Sequence, residues 1–241
     1  MRPLCSLLFK TTSDYQKNLS VLLDLIKNTP NNALVVAPEV CLSGFFKEGD
    51  NIEDILEFAA FATEQIKKVS KDRIIILTMI EKKEAKIYNM AKIFHNGEVV
   101  YERGKARLFH LGGEDRCFTE YPDDDIKIVE VDGLKLGVLI CFELRFKELW
   151  QKVEGADIIA VPSWWGALRG EHFKILTQGL AVMNQCYVVA SDSANEECTK
   201  QSRVITPFGE VKQNGQMSCL RVDYDEKTVQ KMRRYLDVGI G

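Results

Sequence analysis

LKLGVLICFELRF, residues 134–146, runs as an apolar strand through Ile140, then turns into a thiol at Cys141 and a polar, amphipathic segment. Short runs of Val, Ile and Leu bounded by polar residues read as buried strands. ALVVA (33–37), RIIILTMI (73–80), DIIAV (157–161) and YVVAS (187–191) have the same character. Between them, Tyr15, Leu19, Leu22 and Ile26 recur at helical spacing, as do Ile55, Phe58, Ala62 and Ile66. Ser13 or Asp14 is placed to cap the first of these helices. Strands alternating with helices predict an α/β fold. Asn96-Gly97 and Asp132-Gly133 separate period-two segments, so each predicts a hairpin and the sheets must be mixed. The one long stretch without periodicity is 104–125, and loops of that length in a compact domain are usually functional.

With 241 residues and 46% hydrophobic composition, the chain can bury a large core, and a single domain over 1–241 is expected. The net charge of -3 comes from 32 basic and 35 acidic residues that are well mixed, so nucleic acid is not an expected partner. The run from Leu4 to Phe9 is closed by Lys10 and has no cleavage site behind it, so it reads as a first strand rather than an export signal. No stretch approaches the roughly 18 to 20 apolar residues of a membrane span, and a soluble protein is expected. Cys5, Cys41, Cys117, Cys141, Cys186, Cys198 and Cys219 are odd in number and none is spaced C-x-x-C. That disfavours a disulfide framework or a zinc knuckle and favours a reducing, cytoplasmic compartment.

Two strands end abruptly in reactive groups: ALVVA runs into Pro38-Glu39, and LKLGVLI into Cys141. The carboxyl ends of strands in α/β sheets open onto the ligand crevice, so the two could share a pocket. A thiol where a strand meets a helix is expected to see helix N-terminal N–H groups, which favour thiolate, and the Phe142 amide would point to the same spot. An isolated Cys after four apolar residues also reads as the plain end of a core strand. Glu39 sits at the edge of the core, where desolvation raises a carboxyl pKa; it also reads as a capping or surface carboxylate. Lys105, in GKARLF, is by default a solvated charge.

APEVCLSGF, YERGKARLF and LGVLICFELRF stand in the order of the three signature blocks of the nitrilase-like carbon-nitrogen hydrolases, which carry a Glu, a Lys and a Cys in turn. VPSWWGALRGEHFKILTQGLAVMNQCYVVA and SRVITPFGEV resemble later blocks of that family, so the resemblance covers nearly the whole chain. It implies an α-β-β-α four-layer sandwich with mixed sheets and a homodimer paired through a helical face. It also implies Glu39 as general base, Lys105 as cationic stabiliser and Cys141 as nucleophile, with no cofactor or metal. Glu114, in HLGGEDRCFTEY, resembles the family's second glutamate, which helps hold the substrate. Two positions depart from the pattern. Arg107 stands where the family often has His, and Phe142-Glu143 replaces the more usual Tyr-Asp.

A family of this kind implies hydrolysis of a small amide through a cysteine thioester. CFELRF and SRVITPFGEV are closer to amidases of short dicarboxylic acid monoamides, the omega-amidase type, than to nitrile hydrolysers. N-carbamoyl amino acid hydrolysis, nitrile hydrolysis and a non-catalytic binding protein of the same fold are the alternatives. Trp164, Trp165 and Arg169 follow a strand end and are placed to line the acyl pocket, with the guanidinium pairing a substrate carboxylate. Packing of the tryptophans under the next helix and a structural ion pair at Arg169 is the competing reading. His95, His110 and His172 are the candidates for a Cys-His hydrolase. His110, Glu114 and Asp115 are the candidates for a metal, without a recognised ligand spacing.

Overall fold

The computed structural model describes residues 1–46, 50–216 and 218–240. The strands and helices follow in the order β1 (Arg2–Leu8), α1 (Tyr15–Lys27), β2 (Leu34–Val36), α2 (Ile52–Val69), β3 (Ile74–Lys83), β4 (Lys86–His95), β5 (Glu98–Gly104), β6 (Val129–Val131) and β7 (Leu134–Val138). The order continues with α3 (Lys147–Lys152), β8 (Ile158–Pro162), α4 (Gly170–Met183), β9 (Tyr187–Ser191), β10 (Ser202–Ile205), β11 (Val211–Asn214), β12 (Ser218–Tyr224) and α5 (Glu226–Tyr235). Asp14 caps α1 by accepting the Lys17 N–H at 2.9 Å.

Two six-stranded sheets form, in the orders β12-β1-β2-β3-β4-β5 and β11-β10-β9-β8-β7-β6. Each is mixed, with parallel pairs at its centre (β1 with β2, β2 with β3; β7 with β8, β8 with β9) and antiparallel pairs outside. Both predicted hairpins are present, β4 to β5 through Asn96-Gly97 and β6 to β7 through Asp132-Gly133.

The central strands are apolar on both faces because each face has a separate cover. Leu4, Leu34, Val36, Ile74 and Ile76 point to a core shared with Leu136, Val138, Ile158 and Ala160 of the second sheet. The alternate residues Cys5, Val35 and Ile75 point outward, where Leu22 and Ile26 of α1 and Ala62 and Ile66 of α2 cover them. On the far side of the second sheet, Phe173, Leu180 and Ala181 of α4 close the outer layer. The layers are therefore α-β-β-α. The carboxyl ends of β2, β5, β7 and β8 all lie at the same end of the two sheets.

Candidate active site

β2 ends at Val36, and three residues later the chain reaches Glu39. The Glu39 N–H donates to Ser163 O at 3.2 Å and the Val40 N–H donates to Thr78 Oγ1 at 2.7 Å, which ties this turn to both sheets. Val40 has φ +40° and Cys141 has φ +44°. Non-glycine residues in that left-handed region cost on the order of 1–3 kcal/mol each and persist where the surroundings impose them. Both strained residues lie at, or next to, the groups singled out in the sequence.

Glu39 and Lys105 are fully buried, and the Lys105 Nζ donates to Glu39 Oε1 at 2.7 Å and to Glu114 Oε1 at 2.8 Å. Asn89 Nδ2 donates to Glu39 Oε1 at 2.8 Å, and the Trp164 N–H donates to Glu39 Oε2 at 3.1 Å. Glu114 is held in turn by the Phe109 N–H on Oε2 at 3.0 Å. The Lys105 backbone is fixed from both sides, its N–H donating to Asn89 O at 2.8 Å and its carbonyl accepting the Tyr121 N–H at 2.9 Å. Gly104 permits this approach, since a Cβ there would meet the Tyr121 ring at 2.5 Å. The Cys141 thiol contacts the Glu39 carboxylate and the Trp164 backbone. Glu39, Lys105, Glu114 and Cys141 thus meet in one place, although 102 positions separate the first from the last.

The electrostatics differ from the expectation of a helix-stabilised thiolate. Cys141 opens a five-residue 3-10 turn, Cys141–Arg145, and α3 begins only at Lys147, so there is no long helix N-terminus at the sulfur. Burial pushes the thiol well above its ordinary range and the Glu39 carboxylate adds to that push, while Lys105 opposes both. The resting sulfur is therefore a thiol. Burial also raises the Glu39 carboxyl above the usual glutamate range; Lys105 lowers it and Glu114 raises it again. Burial disfavours the Lys105 charge, but two carboxylates on one ammonium more than offset this and hold it protonated. One cation facing two acids is an arrangement in which a proton can be taken up without creating a new buried charge.

Beside Cys141 lies a small cavity of about 30 Å³ walled by Phe142, Arg145, Trp165 and Arg169. It adjoins a cleft of about 520 Å³ lined by Phe45, Phe46, Phe109, Trp164 and Leu168. Trp165 is buried against Phe173 in the structural role that was the alternative for it, and its indole N–H donates to Arg169 O at 2.8 Å. Trp164 is half-buried and stands edge-on to Phe45. Phe142 packs between Phe109 and Phe146. The Arg169 guanidinium lies over the Phe109 ring at 4.8 Å and that of Arg145 over Trp165 at 5.1 Å. Among the described residues neither guanidinium has a carboxylate within ion-pairing distance, so Arg169 makes no structural ion pair. Burial, followed by the Arg169 charge, lowers the Arg145 pKa.

The remaining candidates are engaged elsewhere. His95 Nδ1 is 3.2 Å from Arg73 O, exposed His110 faces Asp115 and Glu120, and exposed His172 sits 2.9 Å from Arg145. Glu39, rather than a histidine, contacts the thiol. Arg107, at the departure from the family pattern, donates to Asp123 at 2.7 Å. Asn89, Arg103, Glu143 and Arg145 went unnoticed in the sequence as site residues. Asn89 carried a signal, a lone amide at a buried position of the strand KIYNMAKI. Glu143 stands out in the sequence only as the acid that replaces Asp in the family pattern.

The family model for carbon-nitrogen hydrolases matches residues 2–234. The chain is 28% identical over 216 residues to a deaminated glutathione amidase of Escherichia coli O157:H7, covering 83% of this chain and 81% of that one. It is 27% identical to a 2-oxoglutaramate amidase of Bacillus subtilis, with coverage of 88% and 85%, and 26% identical to an omega-amidase of Xenopus tropicalis, with coverage of 92% and 88%. A carbon-nitrogen hydrolase from Helicobacter pylori shares the fold with a TM-score of 0.87 at 18% identity, covering 97% of this chain and 92% of that one. A CN-hydrolase superfamily protein from Xanthomonas campestris does so with 0.85 at 18% identity, covering 97% and 94%. The chain belongs to the carbon-nitrogen hydrolase family and is a hydrolase of non-peptide carbon-nitrogen bonds.

Proposed function

We propose that the chain hydrolyses the terminal amide of a short dicarboxylic acid monoamide through a thioester on Cys141, releasing ammonia. The observation that carries this reading is the single buried cluster in which Lys105 bridges Glu39 and Glu114 while the Cys141 thiol contacts Glu39. An amide is a weak electrophile with a poor leaving group, so the site must raise the nucleophile, hold an oxyanion and protonate the departing nitrogen. Glu39, with a carboxyl shifted toward neutrality, takes the thiol proton as sulfur bonds to the carbonyl carbon. The carbonyl electron pair moves to oxygen, where Lys105 Nζ and the Phe142 N–H stabilise it. Collapse breaks the carbon-nitrogen bond as Glu39 returns the proton to nitrogen. Water, deprotonated by the same Glu39, then attacks the thioester, and the thiol is restored as the acid leaves.

The substrate class rests on Arg145 and Arg169, two guanidiniums beside Cys141 that have no ion-paired carboxylate among the described residues. A carboxylate on the acyl group would supply the missing partner. Relatives named as 2-oxoglutaramate amidase and omega-amidase support the same class. Arg169→Ala is expected to lower kcat/KM for carboxylate-bearing amides by roughly 10- to 100-fold, as for loss of a hydrogen bond to a charged group. Neutral amides should change less than threefold. Ammonia release from monoamides, neutral amides, carbamoyl amino acids and nitriles, run with both proteins, tests substrate class and arginine role together. Equal losses on neutral and acidic amides would remove the carboxylate role, and faster turnover of carbamoyl amino acids or nitriles would replace the substrate.

The shared core between the sheets supports one catalytic domain over 1–241, and seven free cysteines support a reducing, cytoplasmic setting. A homodimer is supported by α4, where Ile175 and Met183 are 65% and 67% exposed and Val182 and Phe208 extend the apolar face. Ile175→Asp should convert a sedimenting dimer into a monomer; an unchanged sedimentation coefficient would place the interface elsewhere.

A further inference from the structure

The Glu143 carboxylate is fully buried and accepts four hydrogen bonds. Arg103 Nη1 and Nη2 reach its two oxygens at 2.6 Å each, the Ala106 N–H reaches Oε1 at 2.7 Å, and the Ile140 N–H reaches Oε2 at 2.6 Å. Ala106 directly follows Lys105 and Ile140 directly precedes Cys141. Arg103 completes the plate by donating to Gly104 O at 3.0 Å and Val138 O at 2.7 Å. The lysine directly follows β5 of one sheet and the cysteine follows β7 of the other. A single carboxylate is thus bonded to the backbone beside both groups, across the junction between the sheets.

From this geometry we infer that Glu143, seated on Arg103, is a positioning residue that sets the distance between the Lys105 ammonium and the Cys141 sulfur. It touches neither reacting atom and acts through the backbone on either side of them. The inference rests on the Glu-Cys-Lys mechanism proposed above. Cys141 holds φ +44°, a conformation the chain relaxes from unless it is restrained, and the Ile140 N–H bond to Glu143 restrains the turn that carries it. A displacement of about 1 Å at a reacting group costs on the order of 10²-fold in rate. The four bonds require a carboxylate. An amide in its place offers one acceptor oxygen and turns an N–H₂ donor toward other donors.

Glu143→Gln, Glu143→Asp and Arg103→Lys, each checked for native near-ultraviolet circular dichroism and melting temperature, separate positioning from plain support of the fold. The folded Gln variant should lose about 100-fold in kcat with KM within threefold of wild type, because ground-state contacts with substrate are untouched. The acid limb of its kcat against pH should move, since the distances from Lys105 to Glu39 and to Cys141 tune those groups. Asp keeps the charge with one methylene less and should recover at least tenfold over Gln. If Gln fails to fold, Asp and Arg103→Lys carry the test, with the expectation of lowered kcat, unchanged KM and a moved acid limb. A folded Gln variant with wild-type kcat and pH profile would overturn the inference, as would, where Gln does not fold, a folded Arg103→Lys variant with wild-type kcat and pH profile. So would a rate loss that merely follows the unfolded fraction. Cys141→Ala measured alongside keeps the two claims apart: if it is inactive while Glu143→Gln is fully active, the positioning role fails and the mechanism stands.

Discussion

Cys141→Ala is expected to lose turnover by about 10⁴-fold or more, in line with removal of a nucleophile from other covalent hydrolases. The backbone should tolerate the change. Alanine keeps the Cβ, so the strain at φ +44° is unaltered, and only a sulfur in contact with Glu39 and the Trp164 backbone is lost. Cys141→Ser keeps a hydrogen-bonding atom but raises the nucleophile's pKa further, so it too should fall below a tenth of wild-type activity. Because burial and Glu39 push the thiol pKa up, the proposed route requires Glu39 to accept the proton within the encounter complex. More than a tenth of wild-type turnover in the folded Ala protein, measured by ammonia release, would rule out the thioester route.

Lys105→Ala is expected to damage rate and stability together. Losing a preorganised donor to the oxyanion typically costs about 10²- to 10³-fold in kcat. The same substitution leaves Glu39 and Glu114, both within 2.8 Å of the missing nitrogen, facing each other without a cation. Breaking a buried ion pair from one side costs about 3–5 kcal/mol. Glu39 also loses the largest influence that lowers its pKa, so its carboxyl rises further. A base must be deprotonated to work, so the acid limb of kcat/KM should move to higher pH in this variant. Denaturant unfolding and a pH-rate profile check both parts. Wild-type stability with an unmoved acid limb would show that the lysine does not govern this cluster.

Much of the architecture was readable in the chain because strands apolar on both faces and helices apolar on one leave different spacings. Ile74, Ile75 and Ile76 face alternate cores, yet all three are apolar, which only a sheet covered on both sides requires. Asn96-Gly97 and Asp132-Gly133 marked hairpins through their backbone freedom. The Glu-Lys-Cys meeting point was legible through signature blocks rather than spacing, since nothing local brings Lys105 to Glu39 across 66 positions. The protonation state of Cys141 was not legible. A strand running into an amphipathic segment suggests a helix terminus, whereas the chain makes a 3-10 turn whose burial, felt only in the folded state, keeps the thiol neutral. The Arg103–Glu143 plate was hidden for a similar reason: two charges in a sequence read as surface until the sheets close over them.

The most direct test is acid quenching during steady-state turnover of a slowly hydrolysed monoamide, followed by peptide mapping of all seven cysteines. An acyl mass on the peptide containing Cys141, lost on treatment with hydroxylamine and absent from Cys141→Ala, is the predicted result. An acyl group carried by any other residue during turnover would contradict the account.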